Sequence, residues 1–280
     1  MTRYRIVHTT GFKYPGAVAA SYNEARMSPV RDDTQFVLSS KIDIQPHTSG
    51  HEYYDFFNTR VSVFEVLEPH DELQISATSV IELRPRSAAG EGLDWQAIAN
   101  ATPLSLSLTD AVAQTKRTSP SADLVRFAKK CAKTMTPNET AMAICQKVYS
   151  EMTYRHGHTG VHSIAAEAWS AKVGVCQDYA HIAIGTLRAA GIPARYVSGY
   201  LHPSKEPKLH EMVAGESHAW VEWWSGEWNS YDPTNDVAVA DRHIVVARGR
   251  DYDDVPPLRG VYAGPFSGEL FVKVEITKEA

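Results

Sequence analysis

GVCQDYAHIAIGTLRAAGIPARYVSGYL, residues 174–201, is the stretch on which the reading of the fold turns. Tyr179, Ile182, Ala183, Leu187 and Ala190 recur within it at helical spacing, on one face of a helix. Gly191 ends that helix and Pro193, just beyond, prevents its continuation. Cys176 therefore falls at the helix N-terminus, with Gly174 allowing the tight backbone entry. Residues 194–201 read as a strand, and 217–224 and 228–232 as two more, joined by the short turn Ser225, Gly226, Glu227. The pattern is a helix followed by an antiparallel sheet.

Working outward, residues 121–135 and 138–154 show apolar residues three and four apart, with Pro137 and Asn138 as break and cap. Cys131 and Cys145 lie in these helices and are expected to be small buried side chains. Pro85, Gly90, Gly92, Pro103 and several Ser and Thr make 85–120 read as a linker with one short helix around Trp95. Before it, 3–9, 36–44, 61–67 and 73–83 read as strands, with no helical stretch long enough for a parallel crossover. The tail beyond 250 has loop residues and a last strand at 269–276. The expected fold is α+β: an N-terminal antiparallel β-sandwich (1–84), a linker (85–120), and a domain (121–280) whose cysteine-bearing helix packs on an antiparallel sheet.

Composition narrows the function. No stretch approaches the roughly 18 apolar residues of a membrane span, and MTRYRIVHTT alternates where a signal peptide would run apolar, so no membrane partner and a cytoplasmic address are expected. Three cysteines without short-range pairing argue against a disulfide framework and leave a thiol free for chemistry. A net charge of -5 without a basic run argues against a nucleic-acid partner.

A thiol is a useful nucleophile only as thiolate, which the unpaired N–H groups and dipole of a helix N-terminus favour. The amide of Cys176 or its neighbour would also point where an oxyanion develops in acyl transfer. Such a cysteine needs a base. On the strand 217–224, His218, Trp220 and Glu222 share one face. If the turn pairs Trp224 with Trp228, Asp232 lies opposite Trp220 and diagonal to His218, roughly 7 Å away or less between Cβ atoms. Pro233 keeps Asp232 extended. Singly, His218 reads as a sheet histidine and Asp232 as a turn starter; together with Cys176 they fit nucleophile, base and orienting carboxylate.

His156, His158 and His162 share a loop, but their spacing fits no common zinc pattern and no cysteine or carboxylate stands beside them. A substrate-lining or solvent-exposed loop is expected there, with no metal or cofactor, and nothing resembles a calcium loop. His181, five residues beyond Cys176, points away from the thiol and reads as structural.

GVCQDYAH, GIPARYVSGYL, SHAWVE and DPTND together resemble the core of bacterial transglutaminase-like proteins over about residues 120–237. HTTGFKY (with His8 and Tyr14), DFFN (with Asp55 and Asn58) and VSVFEVLEPHDEL resemble the β-rich region that precedes that core, apart from Phe57 where the family usually has glycine. The resemblance implies a papain-like core with Cys176 as nucleophile, His218 as general base and acid, and Asp232 as orienter, acting on a carboxamide or peptide carbonyl. Tyr154, in a segment like the family's Tyr-x-x-Gly, Gln177 and Trp220 are substrate-lining candidates. Their competing readings are helix packing, a solvent-facing first-turn position, and a wall or packing role that Glu222 shares. The expected activity is a cysteine protease or amidase acting through a thioester on a peptide or protein with a carboxamide or (iso)peptide bond. The alternatives are a protein-glutamine γ-glutamyltransferase and, more remotely, a non-catalytic binding or scaffold protein.

Overall fold

The computed structural model describes residues 1–85, 90–265 and 267–280. Six strands come first: β1 (Thr2–Val18), β2 (Ala20–Ala25), β3 (Gln35–Gln45), β4 (Gly50–Tyr54), β5 (Arg60–Val66) and β6 (His70–Leu83). The alternation that predicts β6 is realised as a two-residue burial period, with Leu73, Ile75, Ala77, Ile81 and Leu83 inward. β4, Gly-His-Glu-Tyr-Tyr, is exposed along its whole length and so carries no such signal. Asp55 accepts the amides of Phe57 and Thr59, and Asn58 supplies the positive φ of this turn. The missing family glycine at Phe57 thus leaves the turn intact.

Four helices follow: α1 (Trp95–Ala101), α2 (Leu106–Val112), α3 (Ala122–Cys131) and α4 (Pro137–Glu151). The cap of α4 is Thr136 rather than Asn138; it forms a capping box with Glu139 and places Pro137 in the first turn. Next come β7 (Thr153–Tyr154), α5 (Ala165–Ala171), β8 (Val173–Gly174) and α6 (Cys176–Ala189). The chain ends with β9 (Ala194–Leu201), β10 (Met212–Trp224), β11 (Trp228–Asp232), β12 (Val237–Ala238), β13 (His243–Gly249), β14 (Leu258–Ala263) and β15 (Glu269–Lys278).

α6 is buried almost all round, as befits a helix with sheet on one side and α3, α4 and α5 on the others. Its Gly185 is obligatory, because a Cβ there would lie 1.7 Å from the carbonyl oxygen of Thr118. Arg188 is buried and donates to the carbonyls of Ala111, Ala194 and Arg250 and to the Thr118 hydroxyl, so α2 and the chain after it are fastened to the core.

The pairing of strands runs across the boundaries expected from sequence. Among the described residues a nine-stranded sheet follows the order β12-β11-β10-β15-β1-β6-β3, with β9 on the other edge of β10 and β13 beyond it. β15 lies between β1 and β10, so Ile276 pairs with Ile6 on one side and Val213 on the other. β14 pairs with β2 in a second sheet, β14-β2-β5-β4, and apolar residues of both sheets close the sandwich around Met27, Phe64 and Ile75. The C-terminal strands therefore belong to the N-terminal sandwich. Among the described residues no helix is long and apolar enough to cross a membrane.

Candidate active site

Cys176 is the first residue of α6, and Val175, in extended conformation, caps it. The amides of Asp178 and Tyr179 both reach the Val175 carbonyl, whereas those of Cys176 and Gln177 precede the first intrahelical acceptor. Asp178 turns back to accept the Val175 amide at 2.8 Å and the Thr159 hydroxyl at 2.6 Å. A Cβ on Gly174 would stand 2.7 Å from that Asp178 side chain, which is why glycine precedes the helix. Burial pushes the Asp178 carboxyl up, against these hydrogen bonds. Cys176 is partly exposed, while Cys131 and Cys145 are buried as expected and burial drives the Cys145 thiol well up.

The sheet delivers the other two residues. Trp224 pairs with Trp228 across the turn, the register on which the diagonal placement of His218 and Asp232 depends. His218 Nε2 donates to Asp232 Oδ2 at 2.7 Å, and the Cys176 thiol is near enough to the same ring to help raise its pKa. With Nε2 committed to Asp232, Nδ1 is the nitrogen left for the thiol. β10 pairs with β15 up to Gly215 and with β11 from Val221, so His218 occupies the stretch where this edge passes from one partner to the other.

Burial lowers the basicity of His218, but the hydrogen bonds to Asp232 and Cys176 and their charges outweigh it and raise its pKa to about 10. Burial likewise acts to raise Asp232, yet the hydrogen bonds from His218, His243 and Asn235 hold it well below the usual carboxylate range. The arrangement sets a histidine of raised pKa, held by a fully buried carboxylate, beside the thiol.

His243 was not legible as part of this group. It stands on β13, two strands from β10, and reaches Asp232 Oδ2 at 3.3 Å. His218, Asp232 and His243 also form a cluster whose donor atoms lie within 4.8 Å of one another. A cation does not fit the hydrogen bonds: His243 Nδ1 accepts the Ala240 amide, which puts the proton on Nε2, and Asp232 Oδ2 already accepts from His218, Asn235 and His243.

The remaining candidates divide. Tyr154 lies not in a helix but in β7, paired with Gly174 two residues before the thiol, and is 40% exposed, enough to meet a substrate. Burial, then the nearby Cys176 and Glu216 charges, push its hydroxyl up. Gln177 does not face solvent: it is buried and donates to the Val161 carbonyl, anchoring the histidine loop beside α6. Trp220 is fully buried and so does not touch a substrate; its indole packs edge-on to His243 and beside His218 as a wall. His181 is buried, accepts the Tyr252 amide, and is lowered by burial to about 3, a structural histidine. In the loop, His162 is held by Arg117 and His156 packs on Tyr154.

Residues 125–233 match the transglutaminase-like superfamily and residues 4–82 the bacterial transglutaminase-like N-terminal region. An uncharacterised protein of Mycobacterium leprae is 38% identical over all of both chains. A protein-glutamine γ-glutamyltransferase of Pseudomonas aeruginosa is 35% identical over 36% of this chain and 16% of its own length. In structure, a candidate cysteine protease from Cytophaga hutchinsonii superposes with a TM-score of 0.78 over 99% of this chain and 91% of its own, at 20% identity, a likeness of fold. With its cysteine at a helix N-terminus facing a histidine-bearing sheet, and with full-length relatives at this identity, the chain belongs to the transglutaminase-like superfamily.

Proposed function

We propose that the protein is a cysteine-dependent amide-bond hydrolase in which Cys176, His218 and Asp232 act as nucleophile, acid–base and orienter. The observation that carries this reading is the grouping of a cysteine at the N-terminus of α6 with a nearby histidine that is hydrogen-bonded to the buried Asp232. The thiolate attacks a carboxamide or peptide carbonyl, and the oxyanion is met by the first-turn amides of Cys176 and Gln177. The His218 imidazolium gives its proton to the departing amine or ammonia, leaving a thioester on Cys176. Water then loses a proton to His218, attacks the thioester, and releases the acid with the thiol restored. Tyr154, half-exposed beside Gly174, lines the approach.

Transfer to an amine in place of water is the second reading, favoured by the similarity of part of the core to a γ-glutamyltransferase. One experiment tests both. The protein is incubated with glutamine-containing and γ-glutamyl peptides, with and without a primary amine, and followed by mass spectrometry. A thioester on Cys176 and a hydrolysed product support the first reading; amine incorporation at the expense of hydrolysis supports the second. Turnover that survives Cys176→Ala would overturn both.

A further inference from the structure

We infer that His243 is a positioning residue for the proposed reaction: a neutral imidazole that holds Asp232 toward His218 without supplying a competing positive charge. The inference rests on the hydrolase reading for its consequence in turnover, but its geometry stands apart from it.

Asp232 is completely buried, and an ionised carboxylate in that position must be surrounded by donors. Its Oδ1 accepts the amides of Thr234 and Asn235, both from its own turn. Its Oδ2 accepts from His218 at 2.7 Å, from the Asn235 side chain at 2.7 Å and from His243 at 3.3 Å. His243 thus holds the carboxylate from β13, outside the β10–β11 hairpin and its turn.

The tautomer matters as much as the position. The Ala240 amide donates to His243 Nδ1 at 3.3 Å, so the ring proton resides on Nε2, where it points at Asp232. The ring is 1% exposed and packs edge-on against Trp220 at 5.3 Å. The charged groups around it are Asp232, which favours protonation, and His218 and Arg242, which together with burial oppose it; the balance keeps its pKa lowered. A protonated His243 would neutralise Asp232 and weaken its hold on the His218 proton. A neutral one donates a hydrogen bond and leaves the carboxylate charge to His218.

His243→Leu and His243→Gln are compared with wild type by turnover and by the rate at which iodoacetamide labels Cys176 at pH 7. Gln keeps an N–H donor where Nε2 stood; Leu keeps the bulk alone. The expected result is a fall in kcat on the order of 10- to 100-fold in the Leu variant with KM unchanged, slower Cys176 labelling, and substantial recovery of both in the Gln variant. Unchanged labelling and turnover in His243→Leu would overturn the inference, and so would equal loss in both variants that follows their loss of thermal stability. Labelling does not depend on a substrate, so it reports on His243 even if the protein hydrolyses no amide. Failure of the hydrolase reading shows separately, as turnover that survives Cys176→Ala.

Discussion

One face of β10 leads to two buried carboxylates that are neutralised in opposite ways. At one end Glu222 is gripped by the guanidinium of Arg195 at 2.6 Å and that of Arg248 at 3.0 Å, and Arg248 reaches on to Asp32 at 2.9 Å. Those cations do not give up their protons, so the cluster is a closed set of fixed charges. At the other end Asp232 is held by amides and by two imidazoles, one of which faces a thiol. There a proton can move. Trp220, fully buried, stands between the two along the strand, and the lesson is that a buried charge closed off by guanidinium groups serves structure, whereas one whose titratable partner lies beside a thiol is placed for proton transfer.

The largest expected effect comes from removing the charge at the open end. Asp232→Asn preserves shape but sets an amide donor against either His218 or the turn amides, so turnover should drop by about 10²- to 10⁴-fold with the fold intact. Labelling of Cys176 by iodoacetamide at pH 7 should slow, because His218 loses the carboxylate that orients it and favours its charged form. A wild-type labelling profile in this variant would dissolve the distinction between the two clusters.

At the closed end the loss should fall on stability. Glu222→Ala leaves Arg195 and Arg248 without their shared partner on a buried face, which costs about 3–5 kcal/mol. Denaturant unfolding measures it, and the folded fraction should keep its turnover per site. Glu222→Gln, which retains hydrogen-bond acceptance, should lose less.

The pH dependence of stability sharpens the contrast between fixed charge and movable proton. Burial lowers His8, on the sandwich strand β1, to about 4 and His181, on α6, to about 3. Both are neutral in the folded state, so the stability they allow is complete above their unfolded value near 6.5 and is lost as pH falls toward those folded values. Each contributes a slope of at most about 1.4 kcal/mol per pH unit in that window. His218 has the opposite sign: raised to about 10, it contributes fully below 6.5 and loses that contribution as pH rises toward 10. Urea midpoints should therefore fall on both sides of an optimum near pH 6.5–7. His218→Gln should flatten the alkaline side and leave the slope between about pH 4 and 6.5 unchanged, and a flattened slope in that window would contradict the assignment.

Much of this was legible because it is local. The helix 176–189 announces itself by its period and its Gly191 stop, and the hairpin by three turn residues that fix Trp224 opposite Trp228. From those two elements the placement of His218 beside Asp232 follows without any tertiary information. What escaped depends on contacts distant in sequence. His243 joins Asp232 only through the tertiary placement of β13 beyond β9, and β15 reads as a strand but nothing local shows that it will lie between β1 and β10. Tyr154 was misplaced for a different reason: the helical spacing of α4 runs to Glu151, and the β-favouring Thr153 and Tyr154 then pair with β8.

The smallest expected effect tests whether the two clusters are independent. Arg195 lies over the Trp228 ring, 3.8 Å from its centroid, while its Nε and Nη2 remain on Glu222. Trp228→Leu removes the stacking but leaves the ion pair, so no buried charge loses its partner. Loss of the cation–π contact costs about 0.5–1 kcal/mol at such a partly exposed position. Trp228 also begins β11, four residues before Asp232, so a shift of the hairpin would reach the carboxylate. Leu is compatible with a strand, and the pairs Trp223 with Asn229 and Val221 with Tyr231 keep the register, so kcat should stay within about twofold of wild type. A fall in kcat well beyond twofold, without a matching loss in denaturant midpoint, would mean that the Arg195 stack helps set the position of Asp232 and that the fixed charges and the movable proton form one system.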